Sequence, residues 1–352
     1  MMYRAPFAAA VAVVLAAAPL AAQTIKLTVV GAPPPTIAAV GLSKSFFVPE
    51  VTKRAAAADP NLKIEWTEAY SQTLAKFTEV LETVEEGVAH IGLLLTNFEE
   101  AKLPLEQYAA LIPFGPDGPR MQEIDRRVRA KVPQMEATYL KYNQVALAHS
   151  VAASNQMFTK FPLQKVEDLK GRKIGASGTL GHVMRGTGAV IVTANMAQSY
   201  TDIANGVYEG YPISESLAFP YKTYQAAPYY AKLDFGGTMI PALTVNKKTW
   251  DGFPGAMRKI VQDVATEWQS LLLKTDMERV QTSLDAMKKD GLKVVEFPTS
   301  ERTRWAKMMP NTAKEWAEGL DKKGEPGSKV LTAFMDELRA SGYPVVRNWD
   351  KE

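Results

Sequence analysis

Short apolar runs alternate with longer helical segments over the first hundred residues, and this order constrains the fold more than any other feature. Strands are predicted at residues 25–30, 62–68 and 88–95, where β-branched and apolar residues alternate or run without interruption. Helices are predicted between them, at residues 36–57 and 74–86. The resulting βαβαβ order is typical of a mainly parallel sheet with helices on both sides.

The same order returns later in the chain. Residues 145–152, 172–176 and 211–214 predict strands, residues 186–193 predict a helix, and residues 235–245 predict a further extended segment. Two α/β units in one chain predict two lobes, each with a mixed, mainly parallel sheet and flanking helices, separated by a cleft. Ligands of such sheets bind beyond the carboxyl ends of the strands, so the cleft is the expected binding site.

A long helix is predicted after Pro254. Residues 255–290 contain no proline, and their apolar residues recur at helical spacing. A helix of this length would span about 50 Å, which is enough to back two lobes at once. Two shorter helices that break near Lys274 and Thr275 are the alternative, because helices of globular proteins are usually much shorter.

The chain begins with the features of a secretory signal peptide. Arg4 supplies a positive charge, residues 8–20 are apolar and uncharged, and small residues lead to a predicted cleavage after Ala22. A membrane anchor is the alternative, but the run is shorter than the roughly 20 apolar residues that a span requires. We therefore expect residues 1–22 to be removed and the protein to lie outside the cytoplasm.

Composition and missing motifs exclude several function classes. The 41 Lys and Arg against 38 Asp and Glu give a net charge of only +3, whereas nucleic-acid binding needs clustered positive charge. There is no cysteine, so an exported chain of this size must be stabilised by its hydrophobic core. His90, His149 and His182 lack metal-binding spacing, and His90 is expected to be a satisfied core residue. No hydrolase or nucleotide-binding motif is present, so neither catalysis nor a cofactor is predicted.

A glycine-rich segment at residues 168–189 is the first candidate for ligand binding. It combines a short strand, a loop and the predicted start of a helix, so that backbone N–H groups would point out of the strand toward an anion. Ser177 and Thr179 lie in this loop. Their hydroxyls and neighbouring N–H groups are expected either to bind an oxyanion or to cap the helix.

Six short motifs follow one another along the chain in a specific order. They are LETVEEGVAHI at 81–91, IPF at 112–114, DLKGRKI at 168–174, NGVYEG at 205–210, LTVNK at 243–247 and WDGFP at 250–254. With these motifs the chain resembles the solute-binding proteins of the tripartite ATP-independent periplasmic (TRAP) transporters. The resemblance covers essentially the whole chain after the signal peptide.

This resemblance implies two α/β lobes of the type II-like periplasmic binding-protein architecture, joined by two crossing strands and by the long helix. It implies a periplasmic receptor, not an enzyme, that closes around a small organic anion and delivers it to the membrane permease. Lobe I is expected to comprise residues 23–152 and 236–272. Lobe II is expected to comprise residues 153–235 and 273–352.

The chain departs from the family pattern where the ligand is usually held. Members of the family usually grip a carboxylate with an arginine in the strand at residues 172–176, and the matching position here is Gly175. A second arginine of many members falls at Asn155. The resemblance therefore does not extend to the carboxylate clamp, and C4-dicarboxylates and sialic acid are not the expected ligands.

Other residues are candidates to take over the ligand. Arg185 lies in an otherwise apolar run, and its planar guanidinium suits a carboxylate, although a surface position is the ordinary alternative. Asn155 is expected either to contact the ligand or to hydrogen-bond at the hinge. Glu215 would hold a ligand hydroxyl, pair with Arg185, or simply begin a helix.

Three further candidates lie at predicted strand ends that face the cleft. They are Tyr70, Asn97 and Phe235; the two aromatic residues would stack against a ring or chain, and ordinary core packing is the alternative for each. The sequence thus predicts a receptor for a monocarboxylate, possibly an aromatic or hydroxy acid. The alternatives are the receptor of an ABC or tripartite tricarboxylate importer, or a periplasmic enzyme on the same scaffold.

Overall fold

Two mixed β-sheets flanked by helices form the protein, as a computed structural model that describes residues 23–352 shows. The predicted two-unit α/β architecture is confirmed. The predicted signal peptide, at residues 1–22, and its cleavage after Ala22 lie outside the described residues.

The strands, numbered in chain order, are β1 (Gln23–Gly31), β2 (Leu62–Ala69), β3 (Ile91–Leu94), β4 (Gln144–Val151), β5 (Gln156–Thr159), β6 (Lys173–Ala176), β7 (Val190–Thr193), β8 (Gly210–Ile213), β9 (Tyr229–Ala231), β10 (Met239–Asn246) and β11 (Lys293–Val295). The first sheet has the order β2-β1-β3-β10-β4, and the second has the order β11-β9-β5-β8-β6-β7. In the first sheet β1 runs parallel to β2 and β3, whereas β10 is antiparallel to β3 and β4.

The α-helices are α1 (Ala38–Leu42), α2 (Val48–Ala58), α3 (Val80–Glu85), α4 (Gly118–Lys131), α5 (Gln134–Leu140), α6 (Ser199–Ala204), α7 (Glu215–Ala218), α8 (Thr223–Ala226), α9 (Lys247–Gly252), α10 (Gly255–Lys289), α11 (Thr299–Met308), α12 (Thr312–Asp321) and α13 (Gly327–Ala340). A π-helical turn at Ser43–Phe47 joins α1 to α2. Short 3-10 helices lie at Thr96–Phe98, Pro104–Leu111, Val166–Leu169, Gly178–Met184 and Met196–Gln198.

The chain crosses between the two sheets twice, from β4 to β5 and back from β9 to β10. The two crossing segments lie side by side because they hydrogen-bond to each other. The Ala152 N–H donates to the Thr238 carbonyl at 2.9 Å, and the Phe235 N–H donates to the Asn155 carbonyl at 3.2 Å. Strand β4 of the first sheet ends at Val151, and the chain returns to that sheet at Met239, where β10 begins. These positions lie close to the lobe boundaries predicted at residues 152 and 236. The division of the chain into lobes remains a prediction.

The long helix α10 makes a third connection. It runs for 35 residues without interruption, so the alternative of a break near Lys274 and Thr275 is wrong. Its first half packs Trp268 and Leu272 into the core of the first sheet, and its last turns place Met287 in a core of the second. Despite its length, neither α10 nor any other helix within residues 23–352 is apolar enough to cross a membrane.

Of the elements that begin later than the sequence predicts, two have a side chain in place of a backbone partner where they begin. The second predicted helix begins only at Val80, since the Glu79 carboxylate accepts the Lys76 N–H at 2.9 Å. The third strand begins only after His90, whose Nδ1 accepts the Thr28 N–H at 2.9 Å. His90 therefore has a protein partner, and burial lowers its pKa.

The helix predicted at residues 186–193 is wrong. Residues 190–193 instead form β7, which pairs in parallel with β6 at the edge of the second sheet. Gly186 and Gly188 adopt φ angles of +87° and +79°, which end any helix, and the following β-branched residues favour a strand. The glycine-rich segment consequently presents no α-helix N-terminus, only the short 3-10 helix Gly178–Met184.

Gly175 on β6 faces a fully buried tyrosine. A Cβ atom at this position would lie 2.6 to 2.8 Å from three ring atoms of Tyr208, closer than real contacts allow. The ring of Tyr208 thus fills the space that a side chain at 175 would need. An arginine cannot occupy this position unless Tyr208 moves.

Replacement of Gly175 by alanine tests this packing. We expect Gly175→Ala to lower the free energy of unfolding by about 1–3 kcal/mol, because the added methyl group overpacks a buried site. Gly319→Ala is the matched control, since Gly319 lies in α12 with nothing within 4 Å of the added Cβ. It should raise stability by about 0.4–1 kcal/mol. Urea unfolding measures both, and equal effects would contradict the packing at Gly175.

Candidate ligand-binding cavity

A cavity lies between the two sheets, bounded by the crossing segments and the middle of α10. It encloses about 920 Å³, including the part that is open to solvent. Most of its wall is apolar. The larger apolar residues that line it are Pro33, Ile37, Leu95, Val151, Leu180, Met196, Pro212, Ile213, Leu217, Pro241 and Leu272.

Four polar atoms on the cavity wall are buried and have no hydrogen-bond partner in the protein. They are Asn97 Oδ1, Thr238 Oγ1 and the hydroxyls of Tyr211 and Tyr221. Burial raises the pKa of Tyr211, and the neighbouring Ser177 side chain lowers it. Burial raises the pKa of Tyr221 to about 12, so its hydroxyl is a neutral donor. Buried polar groups are normally satisfied, so these four atoms offer hydrogen-bonding positions to a molecule that occupies the cavity.

Asp276 and Arg279 on α10 are the charged residues among the described residues that line the cavity. Asp276 Oδ2 accepts the Ala153 N–H at 2.9 Å, and Ser216 also hydrogen-bonds to the carboxylate. Burial raises the pKa of Asp276 against these hydrogen bonds. Arg279 Nη1 donates to the Thr36 carbonyl at 2.9 Å. The described wall therefore carries one negative and one positive charge.

These two charged residues interrupt the buried stripe of α10. Trp268 and Leu272 precede them, and Ser283 and Met287 follow them, at the three- and four-residue spacing that places side chains on one helix face. The interruption coincides with the cavity. Sequence reasoning missed both residues, although a charged pair inside an otherwise apolar stripe is the signal that could have found them.

Three of the residues predicted from the sequence line the cavity. Asn97 follows β3, Asn155 lies on the first crossing segment, and Ser177 follows β6. All three are largely buried. They approach the cavity from different elements of both sheets, as expected for residues at strand ends.

Arg185 and Glu215 do not line the cavity. The Arg185 side chain is 44% exposed and pairs with Glu315 on α12 at 2.6 Å, so it occupies the surface position that was its alternative. Glu215 is buried at the start of α7, where the Tyr230 hydroxyl donates to its Oε1. Burial raises the pKa of Glu215. The expected pairing of Glu215 with Arg185 is not formed, because each has a different partner.

Tyr70, Thr179 and Phe235 also lie outside the cavity wall. Tyr70 is buried in the first core and shares a hydrogen bond with Ser43. Thr179 donates to Gln107 Oε1 at 3.2 Å. Phe235 belongs to an aromatic cluster with its ring centroid 5.4 Å from that of Trp305. Core packing, the alternative for Tyr70 and Phe235, describes both of them, whereas Thr179 bonds to Gln107 instead of capping a helix.

Comparison with known proteins identifies relatives of the whole fold. The family model of bacterial extracellular solute-binding proteins, family 7, matches residues 64–319. A C4-dicarboxylate-binding periplasmic protein of Rhodobacter capsulatus is 26% identical over 286 residues, which cover 74% of this chain and 86% of that protein.

Two solved structures share the fold with TM-scores of 0.75. One is DctP7 of Bordetella pertussis, an extracytoplasmic solute receptor binding pyroglutamic acid. It is 20% identical, over 88% of this chain and 99% of its own. The other is a TRAP periplasmic solute-binding protein of Sulfitobacter with bound β-D-galacturonate. It is 17% identical over the same shares of the two chains.

Glu99 lies two residues after Asn97, which is a residue of the cavity wall. Its Oε1 is buried without a partner, and burial raises the pKa of Glu99 to about 7. The folded protein therefore binds this proton more tightly than the unfolded chain, whose glutamates titrate near pH 4.5. Its contribution to stability is present at low pH and is lost as the pH rises from about 4.5 through 7.

Glu99→Gln should remove this pH dependence. We expect the variant to raise the free energy of unfolding at pH 8 by up to about 3 kcal/mol and to change it little at pH 4.5, since glutamine resembles the protonated acid. The exposed Glu86→Gln is the control and should stay within 0.5 kcal/mol, the ordinary range of about ±0.5 for surface changes. Urea unfolding at both pH values checks this, and a stability gain equal at both would contradict it.

Proposed function

Because this chain belongs to family 7 of the bacterial extracellular solute-binding proteins, the receptors of TRAP transporters, we propose that it captures a small monocarboxylate with an apolar or aromatic body. Aromatic and hydroxy acids are the expected ligands. The protein is an extracytoplasmic receptor rather than an enzyme. We further propose that residues 1–22 are its signal peptide and that it delivers its ligand to a TRAP-type permease.

One observation carries the choice of a monocarboxylate. Arg279 is the single cation among the described residues of the cavity wall, and it makes no ion pair with any residue in 23–352. A guanidinium is suited to one carboxylate, which it can bind through two parallel hydrogen bonds. A second carboxylate would meet no further cation, and its burial would be costly beside Asp276.

The presence of glycine instead of arginine at position 175 also supports a monocarboxylate ligand. The family resemblance leads us to expect an arginine there, and the Tyr208 ring occupies the space that it would require. A dicarboxylate would therefore lack the partner that this strand supplies in other members. The remaining polar atoms, such as Asn97 Oδ1 and the Tyr211 hydroxyl, are neutral.

The apolar wall supports an apolar or aromatic body. Leu95, Val151, Ile213, Leu217 and Leu272 surround the space beside the charged residues. Burial of apolar ligand surface against them would contribute roughly 25 cal/mol per Å². This contribution would compensate for a carboxylate that is held by one arginine.

The ligands named for the two solved relatives agree with one carboxylate. Pyroglutamic acid and galacturonate each carry a single carboxylate group. The Rhodobacter relative is named for C4-dicarboxylates, which carry two. The described wall of this cavity carries one cation, which suits a ligand with one carboxylate, like the first two, better than a ligand with two.

Ligand capture would proceed by closure of the lobes. Asn97 and Thr238 reach the cavity from the side of the first sheet, and Ser177 and Tyr211 reach it from the second. A ligand that bonds to both sides stabilises the closed form by its differential affinity for that form. We propose that the hinge consists of the two crossing segments, with the lobe division at residues 152 and 236 that the sequence predicts.

Arg279→Ala tests the carboxylate partner. We expect it to weaken monocarboxylate binding at least tenfold, about 1.4 kcal/mol, because the ligand charge loses its cation. Arg185→Ala is the matched control, since it removes an equal charge from the surface ion pair with Glu315. It should leave affinity unchanged. Isothermal titration calorimetry measures both, and circular dichroism establishes that each variant folds.

The opposite result for this pair of variants would contradict the proposal. If Arg185→Ala abolished binding and Arg279→Ala did not, the carboxylate would lie elsewhere. Arg279→Lys adds a second comparison. It keeps the charge but loses the planar fork, so it should bind with intermediate affinity.

A panel of acids tests the ligand class. Thermal unfolding should shift upward with 3-phenylpropanoate, phenyllactate or a branched aliphatic monocarboxylate, because a ligand that binds only the folded state stabilises it. Succinate and malate should produce no comparable shift, since their second carboxylate has no cation. Stabilisation by succinate or malate alone would overturn the assignment to monocarboxylates.

A further inference from the structure

The presence of both Asp276 and Arg279 on the cavity wall defines more of the ligand than its carboxylate. The two residues are three positions apart on α10, so their Cβ atoms lie about 5–6 Å from each other on the same face. Both line the cavity. The rigid helix thus presents an anion and a cation to the ligand at a fixed short separation.

Asp276 is incompletely satisfied by the protein. Its carboxylate receives the Ala153 N–H and the hydroxyl of Ser216, and Ser216 in turn shares a hydrogen bond of 3.1 Å with Ser214. No Lys, Arg or His within residues 23–352 lies at ion-pair distance from Asp276. A carboxylate can accept about four hydrogen bonds, so Asp276, which lines the cavity, retains acceptor capacity beyond these two.

Charge balance determines what should occupy those sites. A ligand with only a carboxylate would leave two negative charges and one positive charge in the closed cavity, which is costly in a site of low polarity. A ligand that also carries an ammonium group would leave the cavity neutral. The ammonium would face Asp276 and the carboxylate would face Arg279.

We propose that the cavity selects the zwitterionic head of an apolar or aromatic α-amino acid, with Asp276 as the residue that recognises the ammonium group. In such a head the two charged groups share one carbon atom, which matches an acid and a base one helical turn apart. The side chain of the ligand would extend along Ile213, Leu217 and Leu272. This inference rests on the proposed function, because it takes the carboxylate to lie at Arg279.

Three probes that differ only at the α-carbon test the inference. They are L-phenylalanine, L-phenyllactate and 3-phenylpropanoate, which carry an ammonium, a hydroxyl and a hydrogen. A second set, leucine with its hydroxy and unsubstituted analogues, carries the same three groups on a smaller side chain, for a cavity too narrow for a phenyl ring. In calorimetry with the wild-type protein, the amino acid of each set should bind at least tenfold more tightly than the hydroxy acid or the unsubstituted acid of that set.

Asp276→Asn is the decisive variant. Its side-chain oxygen can still accept the Ala153 N–H, so the local structure is retained while the charge is removed. The variant should lose at least tenfold in affinity for the amino acid and change by less than threefold for the other two acids. Asp263→Asn, an exposed carboxylate of the same helix that pairs with Lys259, is the matched control and should change none of the affinities.

The possible failures are distinguishable. If the hydroxy or unsubstituted acid binds as tightly as the amino acid and Arg279→Ala weakens it, the inference is wrong and the proposed function stands. If Asp276→Asn weakens all three probes equally, Asp276 has only a structural role and the inference is again wrong. If succinate or malate binds and no monocarboxylate does, the proposed function itself fails.

Discussion

The packing of α10 against both cores is the interaction on which the rest of the structure depends. Trp268 and Leu272 are buried with the first sheet, and Met287 is buried with the second. Each large side chain of this kind contributes about 1.5–3 kcal/mol when fully buried. Because one unbroken helix joins the two halves, its middle must pass over the gap between the sheets. The cavity is the space that this passage leaves.

The middle of α10 also supplies the charged residues of the described cavity wall, which the strands do not contribute. The cavity walls contributed by the strands are apolar or carry neutral polar groups such as those of Asn97 and Tyr211. Asp276 and Arg279 add the only two charges of the described wall. Any side chain larger than that of glycine at position 175 would need the space that the ring of Tyr208 fills. We propose that packing at that strand and charge on the helix together determine which ligand the protein accepts.

Much of the fold could be predicted from the sequence, because short-range periodicity encodes it. The alternation of strands and helices and the uninterrupted α10 followed from local patterns, whereas the family followed from a resemblance carried by six motifs in order. The strand β7 did not, since the glycine-rich segment before it was interpreted as a helix start. Its true structure depends on left-handed backbone at Gly186 and Gly188, which a glycine permits but does not require.

The site was harder to predict, because it depends on which elements meet in space. Asn97 was predicted from its position after a strand, Ser177 from the glycine-rich loop and Asn155 from the family resemblance, and all three line the cavity. Arg185 was favoured by its apolar neighbours, but its partner Glu315 lies 130 residues away on α12. Asp276 and Arg279 interrupt the buried stripe of α10, but the stripe alone does not identify which surface they face. The position of Asp276 on the cavity wall becomes evident only from the placement of α10 between the two sheets.

Identification of the ligand that co-purifies with the protein tests the central claim most directly. The protein, isolated without refolding and then denatured, should release a small molecule whose mass spectrum and fragmentation show a single carboxylate on an apolar or aromatic body. Release of a C4-dicarboxylate in a one-to-one ratio with the protein would contradict the account. In that case a second cation would have to reach the cavity, and the single positive charge on α10 would not determine the ligand.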